Sequence, residues 1–446
     1  MDPDEVRRIV RETNYVTWRR QGGWDPLLMA RAEGSRFWDS AGKEYLDFSS
    51  QLMATNLGHG NERVIAAIAD QARRLAYAGP AFATEARGEL SKALGEVVPH
   101  GLHRYFFSTS GTEANEAALK IARAATGRQK VLTRYRSYHG ATAASISVTG
   151  DPRRKAIEPL QKVPGTVFAP DCYCYRCPFG LKYPDCDVAC AEYVDYQLEH
   201  EGDVAAMILE PIVGTNGVIV PVPEYLPRIR EITRKHGVLL IADEVMTAWG
   251  RVGEWFAVNH WNVVPDILTT AKGITGAYVP LGLTATTPAV HEAFRDRYFP
   301  HGHTYEAHPM TLGPAVTAIQ EYRRLGLLEK SRLDGEYLLR QLREIQANHP
   351  SVGEVRGLGL FAAVELVKDR TLRTPFNTEE DKLAGKPLVA DRVAAEMLKQ
   401  GVFCVSWVSH LVVAPPLIVT REELDHGLEV LDRALAIADG SIGAAG

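Results

Sequence analysis

Residues 238–244 read VLLIADE: four branched aliphatics and an alanine, then two carboxylates where the apolar run stops. A run this short, apolar on every residue and rich in branched side chains, predicts a strand buried on both faces. The signature recurs on either side, in KVLTRY (130–135), VAAMILE (204–210) and DILTTAK (266–272), with a shorter apolar run, RYFFS, at 104–108. Stretches with helical spacing lie among them, notably Glu113 to Ala125 and Tyr225 to His236. Strands alternating with helices predict an α/β fold, a mostly parallel sheet with helices over both faces.

The character changes from about Gly326. A long amphipathic pattern from Glu329 to Ala347 precedes GEVRGLGLFAAVEL, a helix near Val389 to Gln400, further apolar strands and a last helix from Arg421. Long helices beside short strands suggest a smaller α+β domain. FWDSAGKEYLDFSS (37–50) reads as a hairpin that need not join the central sheet and can pack with the C-terminal part. The expected division is 1–60 and 326–446 for the smaller domain and 61–325 for the larger. The Gly/Ala-rich tail after Asp439 is expected to fray.

Composition narrows the function classes. The 446 residues are 46% hydrophobic and 24% charged, with 50 basic side chains against 55 acidic and a net charge of −5. That balance offers nothing to nucleic acid or to an acidic membrane surface. The charged start MDPDEVRRIV lacks the apolar core of a signal peptide, so a cytoplasmic location is expected. The uncharged run Gly401–Val419 contains His410 and Pro415-Pro416, and reads as buried strands with a turn rather than a membrane span. Five of the six cysteines (Cys172, Cys174, Cys177, Cys186, Cys190) fall in one segment. Their spacing is not that of a zinc knuckle, so reduced thiols without a metal are the expectation, with a thiolate metal site as the sharper alternative.

Chemistry enters where polar residues end the strands. Ser110-Gly111-Thr112, Asp243-Glu244 and Lys272 follow three of them, and the C-terminal ends of parallel strands open on one crevice. Together they suit a phosphorylated aromatic aldehyde. STSGTEANEAALK opens a helix whose free N–H groups can hold an anion, although Ser and Thr at that position are also ordinary caps. Asp243 at a strand end is costly unless paired, and Glu244 doubles that cost. Lys272 leaves a buried run, an unusual place for lysine, and fits a Schiff-base amine that later serves as a general base.

At this point the order of motifs resembles a family. SGTEANEAALKIAR (110–123), SYHG (137–140), EPIVG (210–214), IADEV (241–245), TAKGI (270–274) and TYEAHP (304–309) are similar to those of class-III pyridoxal-phosphate aminotransferases, over about Trp38 to Leu424. The resemblance implies fold type I, with a seven-stranded type of sheet in the large domain and a homodimer or dimer of dimers sharing its active sites. It implies pyridoxal 5'-phosphate held by Ser110, Gly111 and Thr112 at the phosphate, and by Asp243 at the ring nitrogen. Val245 and Tyr138 would take the two ring faces, with His139 and Glu210 nearby. Lys272 would bind the aldehyde and shuttle the proton, and Thr304 would reach the phosphate of a neighbouring subunit.

Departures from the pattern narrow the substrate. Ala141 stands where relatives acting on 4-aminobutyrate or acetylornithine carry an arginine, and Thr215 replaces a glutamate. SHLVVAPPL lacks their later arginine and is more similar to the ω-amino acid/amine:pyruvate branch. Val405 occupies the stretch where that branch often has a mobile arginine, which leaves Arg136, Arg19 and Arg20 as candidate carboxylate anchors. Met53, Phe82 and Trp407 are candidates for an apolar wall. The implied reaction is a ping-pong transamination from an ω-amino acid or primary amine to pyruvate. An aminomutase or a decarboxylating aminotransferase on the same fold is the alternative.

Overall fold

A computed structural model describes residues 1–160 and 162–443. At its centre lies a seven-stranded sheet in the order Arg104–Ser108, Gly282–Thr286, Ile267–Thr270, Leu239–Asp243, Val204–Leu209, Lys130–Arg134, Thr166–Ala169. Gly282–Thr286 runs antiparallel to both neighbours and the remaining pairs are parallel, so six strands end on the same side. Helices cover the sheet: Gly111–Thr126 buries Ala114, Ala117, Ala118 and Ile121, and Tyr225–Lys235 buries Leu226 and Ile229. Alanines on the first let its backbone lie close to the strands.

Five strands coincide with the apolar runs read from sequence, and two were not foreseen. TVFA (166–169) is only four residues long, and GLTAT (282–286) carries a single branched aliphatic. Their burial is tertiary: Thr284 spends its hydroxyl on the Ala114 carbonyl, 2.8 Å away, so a polar residue fits an interior strand.

The hairpin Arg36–Asp39 and Glu44–Asp47 forms as expected, and Glu44–Asp47 pairs in parallel with Val402–Phe403 from the far end of the chain. An antiparallel sheet follows the order Val352–Gly357, Ala362–Asp369, His410–Val413, Val405–Trp407. The run 401–419 is thus three short strands and a buried turn. No helix among the described residues is long and apolar enough to cross a membrane. Leu327–Asn348, Val389–Lys399 and Arg421–Asp439 are helices close to the bounds their periodicity predicts. Of the Gly/Ala-rich tail, residues 444–446 lie outside the described residues.

Arg251 fastens these pieces together. Buried completely, it donates to the carbonyls of Leu360 (2.9 Å) and Pro415 (2.6 Å), to the Ser50 hydroxyl (2.9 Å) and to the Asn56 amide oxygen (2.8 Å). Among the described residues no carboxylate accepts from it, and burial pulls its guanidinium down to about 10. One side chain therefore joins the N-terminal segment, the loop after Asp243 and the C-terminal strands.

Candidate active site

The turn after Arg104–Ser108 leaves a helix N-terminus open. Ser110 caps Gly111–Thr126 by accepting from the Glu113 N–H at 3.2 Å, and the Glu113 carboxylate folds back onto the Thr109 N–H at 2.7 Å. Among the described residues, the N–H groups of Gly111 and Thr112 and the Thr112 hydroxyl have no acceptor or donor. Free N–H groups at a helix start, where the macrodipole is positive, hold an anion. Two close approaches shape this turn. A Cβ on Gly111 would stand 2.8 Å from both methyls of Val245, and one on Gly140, whose φ is +142°, would stand 2.8 Å from the Thr112 hydroxyl oxygen. Only glycine admits these neighbours.

Asp243, at the end of its strand, is buried but amply bonded. Its Oδ2 accepts from the Asn115 amide at 2.7 Å and lies 2.7 Å from His139 Nδ1, while Oδ1 accepts from the Val245 N–H at 3.1 Å. Asn115 is fixed in turn by giving its second N–H to the His139 carbonyl and accepting from the Thr269 hydroxyl, each at 2.7 Å. The cost of burying this carboxylate is met by three donors on one side. His139 is therefore a positioning residue behind Asp243, its side chain wholly buried. Glu244 turns the other way, accepting from the N–H groups of Ala257 (3.0 Å) and Val258 (2.8 Å) and from the Thr247 hydroxyl. Burial pushes its carboxyl up to about 7. It shapes a loop and faces no crevice.

Lys272 follows Ile267–Thr270 and holds φ at +49°, a left-handed conformation that costs a non-glycine residue about 1–3 kcal/mol. Its amine forms no hydrogen bond among the described residues. Burial pulls it down to about 8, a shift that the nearby Asp243 and Glu210 oppose and Arg153 and Arg251 assist. Glu210 accepts from the Tyr138 N–H at 3.0 Å and the Gly214 N–H at 2.7 Å, locking the tyrosine loop to the strand beside it. Burial raises the Glu210 carboxyl, and His139 together with those N–H groups opposes the rise. Tyr138 meets the edge of Trp18, with centroids 6.4 Å apart, and carries the Arg153 guanidinium 3.6 Å from its ring centroid.

Ser110, Gly111, Thr112, Tyr138, His139, Glu210, Asp243, Val245 and Lys272 thus meet at the C-terminal ends of the strands. Thr304 does not join them. It is exposed, with its carbonyl accepting from Tyr77 at 2.9 Å. The segment before it borders a cavity of about 430 Å³ lined by Phe106, Phe299 and His301, on the edge strand. Met53 is a core residue beside Ile212 and Met246, whereas Phe82 is 69% exposed, so the two build no common wall within the chain. Arg136 pairs with Asp171 at 3.8 Å, and Arg20 donates to the Ala384 carbonyl. The cysteine segment lines a cavity of its own, and no three potential ligands among the described residues are set for a metal.

The sequence reading missed Asn115 and Arg153. Asn115 lies inside the SGTEANEAALK motif, and its signal is a polar residue on the alanine-rich face of a helix. Arg153, in DPRRK, looks like part of a solvated basic run.

An open helix N-terminus, a glycine-lined gap beside Val245, a buried carboxylate and an unpaired amine are the donor set pyridoxal phosphate requires, and the residues fit that group. Similarity to known proteins agrees. A family model for class-III aminotransferases matches residues 19–435. The chain is 34% identical to a leucine/methionine racemase of Thermococcus litoralis, over 99% of this chain and 96% of that protein. It is 33% identical to a taurine–pyruvate aminotransferase of Bilophila wadsworthia, over 99% and 100%. Among solved structures, taurine:2-oxoglutarate aminotransferase from Bifidobacterium kashiwanohense, in complex with pyridoxal phosphate and glutamate, superposes with a TM-score of 0.92 at 34% identity, over 99% of both chains. The chain belongs to the class-III aminotransferase family. It is an aminotransferase, and its cofactor is pyridoxal 5'-phosphate.

Proposed function

We propose that this enzyme moves an amino group from an ω-amino acid or primary amine to pyruvate in two half-reactions. The observation that carries the reading is the meeting of the unpaired Lys272 amine, the triply bonded Asp243 carboxylate and the open start of Gly111–Thr126 in one crevice. Taurine–pyruvate and putrescine–pyruvate aminotransferases among the relatives support the substrate class. When bound, pyridoxal phosphate supplies an aldehyde for amines and an electron sink for the carbanion left by a departing proton. Gly111 and Thr112 hold the phosphate through their N–H groups, and Ser110 lends its hydroxyl. Asp243 keeps a proton on the ring nitrogen, with Asn115 and His139 fixing its orientation. Lys272 Nζ, drawn toward neutrality by burial, takes the proton from the donor's carbon and returns it to the other side of the transfer. Val245 and Tyr138 would pack against the ring, and Glu210 holds the Tyr138 backbone.

Residues 1–60 and 326–446 are read as one smaller domain beside the larger 61–325, supported by the pairing of Glu44–Asp47 with Val402–Phe403. The exposure of Thr304 fits a homodimer, or a dimer of dimers, in which it reaches the phosphate of the neighbouring subunit. A cytoplasmic location accords with substrates of this kind.

The test is the visible spectrum of the purified protein with taurine, β-alanine, 4-aminobutyrate or 1-phenylethylamine and no acceptor. The yellow band is expected to bleach with at least one donor and return on adding pyruvate, and Lys272→Ala should not complete the cycle. A racemase, like the Thermococcus relative, or an aminomutase needs no second substrate. Turnover independent of any added oxo acid would overturn the transaminase reading.

A further inference from the structure

The notable charge near the crevice is one the mechanism does not use. The Arg153 side chain is only 10% exposed, yet no more than part of its fork is committed. Nε donates to Asp151 Oδ2 at 2.8 Å and Nη2 donates to the same oxygen, whereas Nη1 has no acceptor among the described residues. Asp151 is fully buried; the Asn216 amide donates to the same Oδ2 at 3.4 Å, and Asn216 accepts from the Trp407 indole N–H at 3.2 Å. The guanidinium plane is fixed by rings as well: 3.6 Å from the Tyr138 centroid, 4.4 Å from Trp407 and 5.8 Å from Trp18. A nearly buried arginine, held in place on two of its five N–H groups with three left over, is arranged to receive a planar or tripodal anion.

Charge around it points the same way. The Lys382 amine lies 4.4 Å from the Trp407 centroid on the same ring system. Burial lowers its affinity for a proton, and Arg19 and Arg153 lower it further while Asp391 and Asp151 raise it. Lys382 and Arg153 thus bring two cations to one tryptophan ring. Arg153 is also close enough to Lys272 to depress its amine.

We propose that Arg153 is the specificity-determining residue that binds the terminal carboxylate or sulfonate of the amino donor, and the carboxylate of the oxo-acid acceptor, through Nη1 and the free N–H of Nη2. This rests on the transaminase reading and supplies the anchor that Arg136, paired with Asp171, and Arg20, bonded to the Ala384 carbonyl, do not. It makes short ω-amino acids and aminosulfonates the preferred donors over uncharged amines.

The experiment compares holoenzyme with Arg153→Gln, Arg153→Lys and the double variant Asp151→Asn/Arg153→Gln, in which no carboxylate is left buried without its partner. Half-reaction kcat/KM is measured for taurine, β-alanine and 1-phenylethylamine, and the ratio of each anionic donor to the neutral one is read. Loss of a charge-assisted contact should lower both ratios about 10- to 100-fold in the Gln variants, with Lys intermediate because it keeps the charge and loses the fork. Taurine and β-alanine falling unequally tells which anion the fork prefers. Independently of turnover, propionate and ethanesulfonate are titrated against the indole fluorescence of Trp18 and Trp407. Saturable quenching in the parent that disappears in both Gln variants supports the assignment even if no donor bleaches the parent, in which case it is the transaminase reading that fails. Ratios and quenching unchanged in the Gln variants, with the parent active, overturn Arg153 as the anchor and leave that reading standing.

Discussion

Replacing Gly111 by alanine should leave the chain folded and weaken its hold on pyridoxal phosphate. Gly111 is the first residue of its helix and lies outside the left-handed region, so alanine suits the backbone and favours the helix by up to about 1 kcal/mol. The obstacle is Val245. The new Cβ would stand 2.8 Å from Cγ1, 2.8 Å from Cγ2 and 3.4 Å from Cβ of that residue. Carbon–carbon contacts settle near 3.5–4.0 Å, so roughly 1 Å must be found. Turning χ1 of a β-branched side chain moves one methyl away and brings another toward the gap, so the Val245 backbone has to retreat. Its N–H is bonded to Asp243 Oδ1 at 3.1 Å, and the retreat disturbs the carboxylate proposed to hold the ring nitrogen. Overpacking of this size costs about 1–3 kcal/mol, equivalent to about 5- to 150-fold in affinity if it falls on the bound state. The assay is a fluorescence titration of cofactor-free protein with pyridoxal phosphate, alongside circular dichroism to establish folding. In a cycle with Val245→Ala, the Gly111→Ala penalty should shrink by more than about 1 kcal/mol, because the colliding methyls are gone. Parent-like affinity in Gly111→Ala, or penalties that simply add, would refute the argument.

The Lys272 amine of cofactor-free protein should react with an amine-selective reagent along a pH curve centred at about 8, against the ordinary 10.5, read by peptide mass spectrometry. The folded value lies below the unfolded one, so the unfolded chain binds more protons between those pH values, and this group adds stability as pH rises through that window. Labelling centred above 10 would contradict the burial argument. Glu244→Gln should lower Tm while sparing cofactor affinity. Its two oxygens accept from Val258 and Ala257 separately, and an amide offers one acceptor and sets N–H against N–H, for a loss of about 1–3 kcal/mol. Weakened cofactor binding at unchanged Tm would assign Glu244 to the site instead. Arg251→Met orphans four buried acceptors from three segments of chain and should cost more than about 3 kcal/mol in urea unfolding. A loss below about 1 kcal/mol would show that water replaces the guanidinium.

What the sequence carries unaided is local. A strand buried on both faces is mostly apolar and β-branched, so VLLIADE and DILTTAK declare themselves, and with them the parallel sheet. Side chains at strand ends meet in a parallel sheet whatever the loops do, so Ser110, Asp243 and Lys272 were legible as one site before any coordinate. Tertiary structure alone decided which polar residues hold those groups in place. Asn115 and His139 reach Asp243 from 128 and 104 residues away, and Arg251 meets Ser50 across 201. Glu244 and Asp243 are neighbours of one chemistry, yet one faces the crevice and the other caps a loop, because consecutive residues of a strand point to opposite sides. Arg153 in DPRRK carries the same letters as a solvated surface turn. Its burial against Tyr138, Trp407 and Asp151 comes from packing between distant segments, and no period or spacing encodes that in advance.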